Sequence, residues 1–200
     1  DENIYYVNAD SAAVNPDGRS WESAYATLQE AVDMAGEDGG GSVWAAAGLY
    51  TSAAANVLHM KKGVSLFGGF SGTETEIDQR DWKNNRTVID GESTRRCVHG
   101  ADLTRLDGLC IENGYVFNGN GGGMYNYYSS LLTVSNCTFT GNTADSGGGM
   151  YNDTSSPTVM NCTFNENTAE YYDGGGMANY LSSSLSVTNC TFGGNTARYG

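Results

Sequence analysis

Acidic side chains outnumber basic ones by 23 to 10, yet few stand at spacings that chemistry could use. Asp145 and Glu170 occupy the same place after an Asn-Thr-Ala tripeptide, and Asp153 and Asp173 stand near glycine corners. Two carboxylates on one rigid face would serve acid/base hydrolysis, and a cluster of them would chelate calcium. The third occupant of the Asp145/Glu170 position is Arg198, so that row reads as charge-balanced and solvated. Asp153 and Asp173 belong to no calcium loop, and turn chemistry accounts for them. No cofactor is therefore expected beyond weak calcium binding, and the enzyme reading is the less favoured one.

The other reactive side chains are read the same way. His59 and His99 have no partners at zinc or nucleophile-triad spacing and are expected to be ordinary strand or loop residues. The Gly-Gly-Gly runs precede neither a Lys-Ser/Thr pair nor a helix, which makes them corners rather than phosphate cradles. Cys97 and Cys110, 13 residues apart and read as outward-facing, are a candidate disulfide in an oxidising compartment. Tyr125 and Tyr151 share one outward position, with Tyr127 and Tyr172 near the same corners. Flat rings on a rigid sheet stack on sugars or anchor a protein partner. They also stabilise a sheet simply by stacking across strands. Both readings stand, and Tyr125, Tyr127, Tyr151 and Tyr172 are the candidate ligand-binding residues.

A repeat must position these residues. Gly121-Gly122-Gly123-Met124-Tyr125-Asn126 returns from Gly147 and again from Gly174, at spacings of 26 and 27 residues. Asn136-Cys137-Thr138-Phe139 keeps step, recurring from Asn161 and from Asn189, each time followed by Asn-Thr-Ala. Such a period marks a solenoid, whose units are too small to bury an apolar face alone. Apolar residues alternate by twos, as in strands. The parity changes between Val134 and Cys137, so the chain turns at Asn136, a residue type that tolerates the left-handed conformation. Each coil is predicted to hold three short strands separated by a glycine, a serine and an asparagine corner, the description of a parallel β-helix. Stacking at about 4.8 Å would then create ladders of Asn136, Asn161 and Asn189, of Cys137, Cys162 and Cys190, and of Phe139, Phe164 and Phe192. Cys and Phe would point inward, where free cysteine behaves as a small hydrophobe.

The first half is less regular. Residues 105–114 align with 133–142, placing Leu109 and Ile111 where Cys137 and Phe139 sit and Cys110 on an outward Thr position. Residues 1–50 read as an N-terminal cap and first coil, with a helix at about 28–36 capped by Thr27-Leu28-Gln29-Glu30 and ended by Gly36. That helix, with Trp21 and Tyr25, is expected to cover the open end of the core, a hazard that solenoids conceal. Residues 51–115 read as irregular coils with a polar loop excursion at 71–86, and residues 116–200 as regular coils of about 26 residues that continue beyond the chain end or dock there on another molecule.

The net charge of −13 repels phosphate backbones and anionic lipid, so nucleic acid is not an expected partner. No apolar run approaches the roughly 18 residues of a spanning helix, so no membrane insertion by this segment is expected. The opening Asp1-Glu2-Asn3 lacks signal-peptide character, and any export signal is expected to be already gone.

The pairing of Gly-Gly-Gly-Met with Phe-x-x-Asn at 139–142, 164–167 and 192–195 resembles the GGA(I/L/V) and FxxN repeats of polymorphic outer membrane proteins, although a third Gly and Met stand here in place of Ala. The opening, with Tyr5-Tyr6-Val7-Asn8, Ser20-Trp21 and Ala24 to Ala31, followed by Leu66 to Glu74 and Asp78-Gln79-Arg80-Asp81-Trp82, is similar to large secreted proteins of the pectin-lyase-like superfamily. The resemblance implies a right-handed parallel β-helix at the cell surface or outside the cell. The expected role is structural or adhesive, with self-association through coil ends into filaments and a glycan or host-cell surface as partner. The alternative is a carbohydrate-active module, lyase- or hydrolase-like, or a glycan-binding one.

Overall fold

A computed structural model describes residues 3–181 and 184–199. Every strand pairing in it is parallel, and successive strands of one sheet come from successive coils. Three faces run the length of the solenoid among the described residues. The first holds Ile4–Val7, Gly41–Ala46, Val64–Phe70, Arg105–Asp107, Thr133–Ser135, Thr158–Met160 and Ser186–Thr188. The second runs from Gly48–Tyr50 through Thr87–Asp90, Leu109–Glu112, Thr138–Thr140 and Thr163–Asn165 to Thr191–Gly193. The third comprises Asn56–His59, Arg96–His99, Met124–Tyr127, Met150–Asp153 and Met177–Tyr180.

Each face sends one column of side chains inward. Leu66, Leu106, Val134 and Val159 stack from the first, Ile89, Ile111, Phe139 and Phe164 from the second, and Leu58, Val98, Met124 and Met150 from the third. All are buried in one continuous core. The Phe139, Phe164 and Phe192 rings lie 4.6 and 4.8 Å apart and nearly parallel, the inter-strand spacing itself. Asn136, Asn161 and Asn189 have φ of 54°, 53° and 51°, so the parity change is a left-handed corner, and their amides link from coil to coil.

The glycine triplets meet two separate demands. The first glycine of each has positive φ, 69° at Gly121, 61° at Gly147 and 70° at Gly174. A Cβ on the second would lie 2.1–2.4 Å from a backbone oxygen, that of Thr143, Thr168 or Thr196. Those threonines belong to a fourth, two-residue strand in the regular coils, Thr143–Ala144, Thr168–Ala169 and Thr196–Ala197, which the three-strand expectation lacked. It exists because Asn142, Asn167 and Asn195 turn inward just before it. Asn142 Nδ2 donates to Ile111 O (3.0 Å) and to Asn167 Oδ1 (2.9 Å), and Asn167 Nδ2 repeats the pattern toward Phe139 O and Asn195 Oδ1.

The helix, α1, spans Leu28–Glu37 and buries Leu28, Ala31, Val32 and Ala35 against the core. Thr27 Oγ1 accepts the Glu30 N–H and its hydroxyl donates to the Glu30 carboxylate. Gly36 does not end the helix. It lies inside it, where a Cβ would meet the Lys61 side chain at 2.7 Å, and the left-handed turn falls at Gly39. Tyr25 packs into the main core, whereas Trp21 belongs to a separate cluster. Trp21 packs with Tyr6, Trp44 and Phe70 on the outer side of the first face, where its indole N–H donates to Glu74 O.

Residues 71–86 leave the solenoid between the first and second faces and are strapped back onto it. Arg80 reaches the fully buried Asp107 carboxylate at 2.6 Å, which also accepts from Arg105 (2.7 Å), Ser135 (2.6 Å) and Asn136. Burial pushes the Asp107 carboxyl upward, but those donors outweigh it and leave the group below its ordinary range.

Candidate functional site

The third face carries a column of aromatic rings on its outer side. Register places His59, His99, Tyr125, Tyr151 and Ala178 at one position in successive coils. The rings follow one another at 4.4 Å (His59 to His99), 5.5 Å (His99 to Tyr125) and 5.8 Å (Tyr125 to Tyr151), the last pair parallel within 13°. Arg96 lies over the Tyr125 ring at 5.0 Å and is anchored by the carbonyls of Asn120 and Gly121. Burial lowers the pKa of Arg96 and also that of His99, where His59 and Arg96 add to the effect. Burial and then the Asp153 charge raise the Tyr125 and Tyr151 hydroxyls.

Ala178 takes the last position of this column among the described residues. Beside it a cleft of about 510 Å³ opens, lined by Tyr151, Tyr172, Tyr180, Asp173, Asn120 and Ser146 among others. Tyr151 forms its floor and is nearly covered, whereas Tyr172 and Tyr180 stand more than half exposed at its walls. The cleft combines flat apolar surface with carboxylate, amide and hydroxyl groups, the mixture that holds a polar ring.

Of the four tyrosines singled out by sequence, Tyr125 and Tyr151 stack directly. Tyr127 lies parallel to Tyr125 at 6.4 Å, and Tyr172 lines the cleft with Tyr151. Sequence reading missed His59 and His99 as members of the column. The signal was faint, because the spacing of 40 residues between the two histidines is stretched by the 71–86 excursion.

The cysteine expectation is corrected. Cys97 points into the core rather than outward, with its thiol donating to Glu112 O, while Cys110 lies on the outer side of the second face, opposite Thr138. The two are free thiols on different faces and form no disulfide. The reason is local: Cys97 and Val98 are both buried, so strict alternation fails there. The acidic residues do not converge either. Asp145 is half-buried and Glu170 exposed, and among the described residues no three His, Cys, Asp or Glu are grouped to hold a metal ion.

Parallel strands wound coil on coil around a continuous core, with an outward aromatic column, define a parallel β-helix protein. A family model described as a right-handed β-helix region matches residues 59–200. The chain belongs to that family. Among solved structures, the pectin methylesterase from Aspergillus niger is similar in fold, with a TM-score of 0.54 and 15% identity, the match covering 96% of this chain and 69% of that one. No curated protein sequence matches the chain. No helix among the described residues is long and apolar enough to cross a membrane.

Proposed function

We propose that this chain is an extracellular or cell-surface β-helix with an adhesive role, and that it binds a carbohydrate chain along its third face. The observation that carries the reading is the aromatic column that reaches Tyr151 and is followed by Ala178, beside a cleft flanked by Tyr172, Tyr180 and Asp173 with room for a ring. A pectin methylesterase of similar fold supports carbohydrate as the ligand class. The second element of the reading is end-to-end association. It is supported by the way successive coils already stack, each seating the next through in-register parallel strand pairing.

The test is a glycan-array screen of the 200-residue chain, followed by titration of the hits against Tyr172→Ala, Tyr180→Ala and Ala178→Tyr. Either alanine variant should weaken binding at least tenfold. Ala178→Tyr should abolish it while leaving the fold as stable or more so, because the added ring completes the column. Absence of any glycan hit, or hits indifferent to all three substitutions, would refute the carbohydrate reading. Electron microscopy of the chain at micromolar concentration checks the other part: end-to-end filaments support it and isolated short rods count against it.

A further inference from the structure

We propose that His59 and His99 form a binding site for one divalent transition ion of the copper or nickel class, with water filling its remaining positions. The two residues lie 40 apart in the sequence, too far to read as a metal motif, yet register pairs them on adjacent strands. Leu58 and Val98 beside them are buried in the core, so both imidazoles leave the third face on its outer side. Their ring centroids are 4.4 Å apart. Two imidazoles held cis on one tetragonal ion, with metal–nitrogen bonds of about 2.0–2.1 Å, place their centroids about 4.5 Å apart. The pair already has the separation that chelation demands, so an ion asks for rotation of the rings and no movement of the strands.

The surroundings suit such an ion. Nδ1 of His99 lies 3.1 Å from Gly100 O, and because a carbonyl only accepts, Nδ1 carries the proton and Nε2 the free lone pair. A backbone carbonyl behind the second ring nitrogen is the usual support of a metal-binding histidine. Burial, then His59 and Arg96, holds the His99 pKa below its ordinary value, which favours the neutral ring that a metal needs. The His59 side of the pair is exposed and gives the ion a way in, while its backbone is clamped by Gln29 of α1, which accepts the His59 N–H at 2.8 Å and donates to the His59 carbonyl at 3.1 Å. Arg96, held by Asn56, Asn120 and Gly121, repels positive charge, and among the described residues no third His, Cys, Asp or Glu joins the pair. The site thus offers imidazole nitrogen and nothing that a hard, oxygen-seeking ion such as calcium requires. Coordination would tie Asn56–His59 to Arg96–His99 and so close the coil that contains the 71–86 excursion.

The test is isothermal titration of the untagged 200-residue chain with Ni2+, chosen because it does not oxidise the free thiols. One ion per chain is expected, and Ca2+ at the same concentrations should not displace it. His59→Phe and His99→Phe, which keep a ring in the column, should each weaken binding at least tenfold, and so should His59→Gln at the exposed position; circular dichroism checks that all three keep the β-helix. With Ni2+ at about 100 times its Kd, Tm should rise by about 5–10 °C, and only in the chain that has both histidines. No saturable binding, binding that survives any of the three substitutions, a loss confined to one histidine, or displacement by Ca2+ would overturn the proposal.

Discussion

Replacing Asn167 by alanine removes the centre of the interior amide column. The Asn167 amide donates to Phe139 O (3.0 Å) and Asn195 Oδ1 (2.9 Å), and its oxygen accepts from the Asn142 backbone N–H (3.1 Å) and Asn142 Nδ2 (2.9 Å). Four hydrogen bonds vanish, each worth about 1 kcal/mol net. The Asn142 N–H is left buried without that acceptor, a cost of about 1–3 kcal/mol if no water reaches it. Because these terms overlap, the expected destabilisation is about 3–5 kcal/mol, a large fraction of the roughly 5–15 kcal/mol that holds a domain folded. Urea unfolding followed by circular dichroism measures it as a lower midpoint at unchanged slope. Thr163→Ala, on the exposed outer side of the neighbouring strand, serves as a control and should cost about 0.5 kcal/mol or less. A loss below about 1 kcal/mol for Asn167→Ala would show that the amide column is not what holds the coils together.

Arg80→Ala should cost about 3 kcal/mol, because it leaves the buried Asp107 carboxylate with a single guanidinium partner; limited proteolysis should then cut first within 71–86, and an uncut strap would contradict the anchoring role. Phe164→Ala should cost about 3–5 kcal/mol by opening a cavity between Phe139 and Phe192, a loss that thermal unfolding would register. His99 is depressed below its ordinary value of 6.5, first by burial and then by His59 and Arg96. Its neutral form is favoured in the folded state, so its contribution is complete above the unfolded value and drains away as pH falls through the folded one. Melting temperatures measured between about pH 7 and pH 5 should decline more steeply for the unsubstituted chain than for His99→Phe, and equal slopes would remove His99 from the account.

Repetition made the regular half of the chain legible. The parity switch at Asn136, Asn161 and Asn189 fixes the corner, and its left-handed φ follows from the residue type. The alignment of residues 105–114 with 133–142 likewise predicts the observed pairing of Ile111 with Phe139. Legibility fails where one coil departs from its neighbours. Cys97 sits in a strand with two adjacent buried residues, so alternation misassigns it. Arg80 and Asp107 meet across 27 residues, through a strap with no repeat to align it. The same excursion hid the histidine half of the aromatic column, whereas the tyrosine half, 26 residues apart, was visible.

The direction of the hydrogen bonds between coils has a mechanical consequence. They run along the solenoid axis, so tension applied at the two ends loads them one coil at a time instead of shearing many at once. Phe139, Phe164 and Phe192 mark coils of 25 and 28 residues. Each coil that lets go would lengthen the chain by roughly 90 Å at about 3.3–3.6 Å per residue, while those behind it remain wound. Under a steady pull such a molecule pays out like line from a reel, absorbing work in steps and rewinding when the load is released.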